Sequence, residues 1–369
     1  MPVTTRRLFA RRLGAGVGAA LVARPGLSSP AVRDTGPIRL NANENPYGPS
    51  ARAREAMTQS QERAAIYPSQ LHGELERLIA EHHGFATENV VLGCGSTEIL
   101  RVAAMAFLDE GRDLVVAEPT FEAVLGYARV PAARPVKVAL TADYRHDLRA
   151  MAARCSPNTG LAYVCNPNNP TGTIVRRAEL LRFIEAVPEN VPILVDEAYH
   201  DFVDDPDYPR ATEWIHSHPN VLVARTFSKV HGLAGMRLGF ALGSAARITS
   251  MKRHLLLNNT NVASLEAARV SLADDAHIAE QARLNNETRR WLVSQLQKDG
   301  LEVMDSHANF VMARVGRTGP VREAMKNRGI LVGRDFPPYL EWLRISIGTR
   351  VQMETFVAAF REWRGKAVA

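Results

Sequence analysis

The stretch Leu161-Ala162-Tyr163-Val164-Cys165-Asn166-Pro167-Asn168-Asn169-Pro170-Thr171-Gly172 decides the fold class. Its apolar run is the length of one buried strand and too short for a buried helix. It ends abruptly in Asn, Pro and Gly, which set a rigid, turn-rich loop. The same grammar recurs along the chain. Apolar runs occupy Val90–Leu92, Leu114–Ala117, Ile193–Val195, Val221–Ala224 and Leu238–Leu242, and amphipathic stretches such as Glu98–Phe107 and Arg177–Ala186 lie between them. This alternation predicts an α/β fold, a mostly parallel sheet with helices on both faces. After Ser250 the pattern changes. One long helical region from about Ala263 to Lys298 is expected, then strands at Asn309–Ala313 and Leu343–Ile347 and helices at Val321–Asn327 and Gln352–Trp363. These read as a smaller α+β C-terminal domain. The expected division is an N-terminal arm over 31–62 that joins the small domain, a large domain over 63–252 and the small domain over 253–369.

The chain has 369 residues, 46% of them hydrophobic, enough for a sizeable core. Its net charge of +6 is concentrated at one end. Residues 1–30 hold Arg6, Arg7, Arg11, Arg12 and Arg24 and no acid, so the remaining body is near neutral. With no basic stripe bearing aromatics, nucleic-acid binding is not expected. Thr5-Arg6-Arg7-Leu8-Phe9 precedes an apolar, Gly/Ala-rich run from Leu13 to Ala23. An Arg pair before a short apolar run is the twin-arginine export pattern, and it predicts a periplasmic protein with residues 1–30 as signal. Cleavage after Ala23 or Ala31 is compatible with this pattern. The run is too short for a membrane span, and no stable membrane association is expected. Cys94, Cys155 and Cys165 lack CxxC spacing or His partners, so no metal site or disulfide framework is expected, and the thiols are read as buried.

Polar residues collect directly after the apolar runs, where ligands bind in open α/β sheets. Gly93-Cys94-Gly95-Ser96-Thr97 leads a strand into a helix, which presents free N–H groups and two hydroxyls to an anion. A plain strand–helix turn would account for this segment taken alone. Phe121 could stack on a flat ring, and Asn169 could donate to a phenolate oxygen. A carboxylate at the end of a buried strand, Asp196, needs a partner, and a cationic ring nitrogen is one solution. Tyr199 stands three residues on. Lys229 lies in a glycine-interrupted loop, where desolvation would lower its pKa and make it a nucleophile. Ser228 and Arg237 beside it could hold a phosphate.

Taken together, Asn169-Pro170-Thr171-Gly172, Asp196-x-x-Tyr199, Ser228-Lys229 and Arg237 resemble the aspartate aminotransferase superfamily, the fold type I, class I/II enzymes that use pyridoxal 5'-phosphate (PLP). Leu40–Pro49, Tyr67-Pro68 and Leu343–Arg350 are similar to the histidinol-phosphate aminotransferase branch. The resemblance runs from about Ile38 to the C-terminus. It implies that Lys229 forms the Schiff base, that Asp196 pairs with the pyridinium nitrogen, and that Tyr199 and Asn169 bond the ring hydroxyl. It implies Phe121 on the ring face and Ser96, Thr97, Ser228 and Arg237 at the phosphate. It further implies a homodimer in which Tyr67 reaches the other subunit's cofactor, Arg344 as the substrate-carboxylate residue, and Tyr47 and Asn309 in the side-chain pocket. The reaction implied is amino-group exchange between an amino acid or amine, histidinol phosphate or an aromatic compound, and a 2-oxo acid. Decarboxylation or C–S cleavage on the same scaffold, and more remotely a non-catalytic binding protein, are the alternatives left open by the residues.

Overall fold

The computed structural model describes residues 36–368. The export-like segment expected over 1–30 lies outside them. Among the described residues no helix is long and apolar enough to cross a membrane.

The arm contributes β1 (Ile38–Leu40) and α1 (Ala51–Gln59), whose N-terminus is capped by Ser50 accepting from the Ala53 N–H. The large domain then runs through α2 (Ser69–His83), β2 (Val90–Gly93), α3 (Ser96–Phe107), β3 (Asp113–Glu118), α4 (Ala123–Ala128) and β4 (Arg134–Ala139). It continues with α5 (Leu148–Arg154), β5 (Thr159–Cys165), α6 (Arg177–Ala186), β6 (Ile193–Asp196), β7 (Val221–Thr226), β8 (Gly239–Gly243) and α7 (Ala245–Lys252). The strands form one sheet in the order β2-β8-β7-β6-β5-β3-β4. β8 runs antiparallel to both its neighbours and the other pairings are parallel. β5, β6 and β7 are buried along their whole length, as strands covered on both faces must be. Val115, Val164 and Val195 point to one core, and Val116, Tyr163 and Leu194 to the other.

The expected single helix over 263–298 is two. α8 (Val262–Leu272) ends at Ala273, and α9 (Asp275–Lys298) starts at Asp274, whose side chain accepts from the His277 N–H. A carboxylate that caps a new N-terminus interrupts the apolar period. The division between domains shifts with this break. Leu265, Ala268 and Leu272 of α8 pack with Ala53, Leu71 and Leu75 in the large-domain core, so the small domain does not start at the expected residue 253. α1, read as part of the arm, joins them there.

The small domain comprises the C-terminal end of α9, β9 (Phe310–Arg314), α10 (Thr318–Lys326), β10 (Ile330–Val332), β11 (Trp342–Ser346) and α11 (Arg350–Val368). β9 pairs antiparallel with β11, and β1 of the arm pairs in parallel with β10. Leu40 is thereby buried among Leu292, Val311, Leu343 and Phe356. The arm thus belongs to both domains, with its strand in the small one and its helix in the large one.

Candidate active site

The five polar clusters after the strands converge. Together with the arm and the small domain they enclose a cavity of about 420 Å³ lined by Ser96, Thr97, Thr120, Phe121, Asn169, Asp196, Tyr199, Ser228, Lys229, Arg237 and Arg344. Its walls also include Asn43, Glu44, Glu122, Cys165, Arg334 and Phe336.

One end of the cavity is built for an anion. α3 begins at Ser96 after Gly95, which has φ of 77°. A Cβ on Gly95 would run into the Arg237 guanidinium, and one on Gly239 would run into the Ser96 backbone nitrogen, so glycines here make room for the cradle. Arg237 is itself held at a left-handed φ of 57°, a conformation that costs a non-glycine residue about 1 kcal/mol or more. Its only hydrogen bond to a described residue runs from Nη1 to the Ala234 carbonyl, 3.0 Å. A helix N-terminus, three hydroxyls and a guanidinium without a carboxylate partner fit a phosphate monoester.

The floor of the cavity carries the acid. Asp196 is 2% exposed, at the end of β6. Burial pushes its carboxyl up to about 6, while hydrogen bonds from Tyr163 Oη to Oδ2 (2.9 Å) and from the Ala198 N–H to Oδ1 (3.1 Å), with the Lys229 charge, work against that shift. A cationic ring nitrogen alongside would favour the ionised form further. Lys229 faces the same space. Desolvation and the Arg344 charge push its amine down to about 8, from an ordinary value of 10.5. Its Nζ donates to the Asn43 carbonyl at 3.2 Å and lies 5.3 Å from the centre of the Tyr199 ring.

The residues around Tyr199 form one network. Asn43 Nδ2 donates to Tyr199 Oη at 3.1 Å, and Asn169 Nδ2 approaches the same oxygen at 3.5 Å. Arg344 donates from Nη1 to Asn169 Oδ1 at 2.7 Å and from Nη2 to the Asn41 carbonyl at 2.8 Å. Its Nε is buried with no hydrogen-bond partner among the described residues. Burial holds this guanidinium at about 10. Behind the site, Glu197 accepts two hydrogen bonds from Arg225, and both side chains are buried, which locks the ends of β6 and β7 together. Removing one partner of such a pair typically costs about 3–5 kcal/mol.

Several expected residues lie elsewhere. Tyr47 and Asn309 do not line this cavity; they border a separate space of about 10 Å³. Asn309 precedes β9 and turns toward the arm, where its Nδ2 donates to the Asn43 carbonyl at 3.0 Å, so it braces the arm. Tyr67 is 80% exposed and does not line this chain's cavity. The thiols are not uniformly buried. Cys94 is exposed in the loop entering α3, Cys155 is intermediate, and Cys165 alone is buried. Other contributors belong to no motif. Asn43 sits at a left-handed φ of 55° and joins the arm to Tyr199 and Ser346. Tyr163 is a hydroxyl within the apolar run of β5, two positions from Cys165, which pairs with Asp196 across the sheet. Arg334 and Phe336 announced themselves only as an Arg and a Phe in a loop.

The sequence matches the family model for aminotransferase class I and II over residues 35–360. It is 39% identical over 328 residues to the histidinol-phosphate aminotransferase of Moorella thermoacetica, covering 88% of this chain and 85% of that protein. It is 36% identical over 337 residues to the aromatic amino acid aminotransferase of Rhodococcus jostii, covering 90% and 92%. The solved structure of the histidinol-phosphate aminotransferase of Sinorhizobium meliloti in complex with pyridoxal-5'-phosphate superposes with a TM-score of 0.85 at 26% identity, covering 90% of this chain and 92% of that one. The chain therefore belongs to the class I and II aminotransferases, the fold its cavity and sheet define. Within them it is a PLP-dependent aminotransferase of the histidinol-phosphate aminotransferase-like branch. The relatives' names favour amino transfer over the decarboxylase, C–S lyase and binding-protein readings. When bound, PLP supplies an aldehyde for a lysine amine and an electron sink for the substrate α-carbon. The cavity described above fits its phosphate, its ring nitrogen and its ring oxygen.

Proposed function

We propose that this enzyme moves an amino group between histidinol phosphate or an aromatic amino acid and a 2-oxo acid. The observation that carries the reading is a pair of arginines around one ring. The Arg344 guanidinium lies 4.6 Å, and the Arg334 guanidinium 4.3 Å, from the centre of Phe336. All three line the cavity. Arg334 is also paired with Glu122 at the edge of the cavity, 2.6 Å apart, in a half-exposed position where exchange for a ligand anion is cheap. Two guanidiniums serve a phosphate ester or a carboxylate, and Phe336 and Phe121 offer flat apolar surface to a ring. On this reading Lys229, as the free amine, would hold the cofactor and carry a proton to and from the substrate carbon, Asp196 would keep the ring nitrogen protonated, and Arg344 would take the anion of both substrates in turn. The test is a panel of amines mixed with PLP-loaded enzyme without an acceptor, following loss of the lysine-linked cofactor absorbance. Histidinol phosphate or the aromatic amino acids should react fastest; equal rates with alanine and aspartate would sink the assignment.

A homodimer accounts for a second observation. Tyr67, Ile66, Leu256 and Leu257 are exposed large apolar side chains, Leu257 at 91%. Ser69 bonds Asn258 at 3.0 Å, which ties the two loops together, and the neighbouring Asn259 bonds Glu98 of α3. Such a patch beside the phosphate cradle calls for cover, and a second copy would bring its Tyr67 there. Sedimentation equilibrium should give a dimer, and Leu257→Asp should yield monomer with weakened PLP retention; a monomeric, active wild type would exclude the arrangement. For residues 1–30 we propose twin-arginine export to the periplasm. A reporter fused to residues 1–35 should be exported, and Arg6→Lys with Arg7→Lys should stop it.

A further inference from the structure

Hydrogen bonds have direction, and around the Tyr199 hydroxyl the directions are fixed from outside. The small domain fixes the first. The Asn43 N–H donates to Ser346 Oγ at 2.9 Å, and the Ser346 hydroxyl gives its own hydrogen to Asn43 Oδ1 at 2.8 Å. Asn43 therefore presents Nδ2, and not Oδ1, to Tyr199 Oη, 3.1 Å away. With the amide reversed, two N–H donors would meet at Ser346 Oγ, and the serine hydrogen would lose the acceptor it has among the described residues.

Asn169 is fixed in the same way. Arg344 Nη1 donates to its Oδ1 at 2.7 Å, which leaves Nδ2 facing the same phenol oxygen at 3.5 Å. Two amides thus offer donors to Tyr199 Oη, and neither can accept from it. The Tyr199 hydrogen has no acceptor among the described residues, and Tyr199 lines the active-site cavity. A buried hydroxyl in this setting donates to whatever fills that space. The backbone of Asn43 suits the task. It is 2% exposed and held at a left-handed φ of 55°, which asparagine tolerates better than most residues. Its carbonyl accepts from Lys229 Nζ at 3.2 Å, so one arm residue touches both the nucleophile and the phenol.

We propose that Asn43 is a positioning residue for amino transfer: oriented by Ser346, it turns the Tyr199 hydrogen into the cavity and makes Tyr199 an obligate donor to the ring oxygen of the cofactor. A donor there stabilises the anionic oxygen and weakens the hold of the adjacent lysine-linked nitrogen on its proton. The inference rests on the PLP site and is independent of which amine the enzyme takes.

The test is the pH titration of the lysine-linked cofactor absorbance in PLP-loaded enzyme without substrate. Asn43→Asp keeps the shape and the left-handed backbone but accepts where asparagine donates, so it should draw the Tyr199 hydrogen out of the cavity. The midpoint should rise by about one pH unit, the size one net hydrogen bond carries. Ser346→Ala changes no charge and removes a residue that does not line the cavity. It frees the Asn43 amide to reverse, and the midpoint should rise by about half a unit. In a Tyr199→Phe background, which lacks the hydroxyl, Ser346→Ala should add no further shift. An unmoved midpoint in either single variant would overturn the proposal, and so would the full Ser346→Ala shift persisting in Tyr199→Phe. The thermal midpoint of the apoenzyme separates a bracing role: lower stability in Asn43→Asp with an unchanged pH midpoint would make Asn43 a brace for the arm alone and end the proposal.

Discussion

The two ends of the active-site cavity are built differently. At the cofactor end every contributor sits within a few residues of a strand terminus: Ser96 after β2, Phe121 after β3, Asn169 after β5, Asp196 on β6 and Lys229 after β7. One sheet sets their positions. At the substrate end the partners come from opposite ends of the chain. Asn43 and Ser346, 303 residues apart, exchange two hydrogen bonds, and Arg344 holds the Asn41 carbonyl over the same separation. The difference teaches where change is tolerated. The cofactor end rests on the sheet core, so its chemistry is common to every substrate. The substrate end rests on how the arm and small domain dock, so specificity can vary without disturbing the sheet.

The comparison can be broken by experiment. The largest effect is expected at Lys229. Lys229→Ala should lower turnover by more than about 1000-fold, because nucleophile and proton carrier are lost together. It should abolish the lysine-linked chromophore and leave the thermal midpoint of the apoenzyme nearly unchanged; a yellow, active variant would refute the site. Next, Asp196→Asn keeps the shape and removes the charge. It should lower kcat by about 100- to 1000-fold with every amino donor alike, as the loss of a preorganised electrostatic partner does; strong donor dependence would place Asp196 in the wrong half of the cavity.

Arg344→Lys should raise KM for both substrates and cut kcat/KM by about 10- to 100-fold, since a lysine cannot reproduce the forked contact. PLP affinity should hold. A further check at this position uses pH. The Lys229 amine is lowered to about 8, so capture of PLP by apoenzyme should slow about tenfold per pH unit below 8 and level off above it. The Arg344 charge is one cause, so Arg344→Gln should move that midpoint upward; an unmoved midpoint would show that the two ends are electrostatically independent. The smallest effect is expected for Tyr163→Phe. Tyr163 lowers the Asp196 pKa from beneath, so its loss should raise that pKa and move the acid limb of the kcat profile to higher pH, with only a few-fold loss near neutrality. An acid limb that stays in place would leave Tyr163 with a packing role alone.

The readable and unreadable parts follow the same line. The strand-end clusters were legible because periodicity places strands and their loops inherit the position. Val221–Ala224 reads as a strand, so Lys229 must lie at its carboxyl end. The break between α8 and α9 was missed because Asp274 looks like any exposed acid until it caps a helix. Asn309 was assigned to the substrate pocket by resemblance, yet the pairing of β9 with β11 turns it to the arm. Arg334 carried no local mark at all. Its role depends on Phe336 and Arg344 arriving on the other side of the ring.

By itself, the sequence determined the α/β class, the mostly parallel sheet and the chemistry of the cofactor end, because periodicity and turn residues act over a few positions and are written locally. Only the tertiary structure decided which residues brace the arm, which guanidiniums face the substrate and which way the Tyr199 hydroxyl turns. Those depend on contacts across hundreds of residues, whose register is set by burial of the whole core and not by any segment alone.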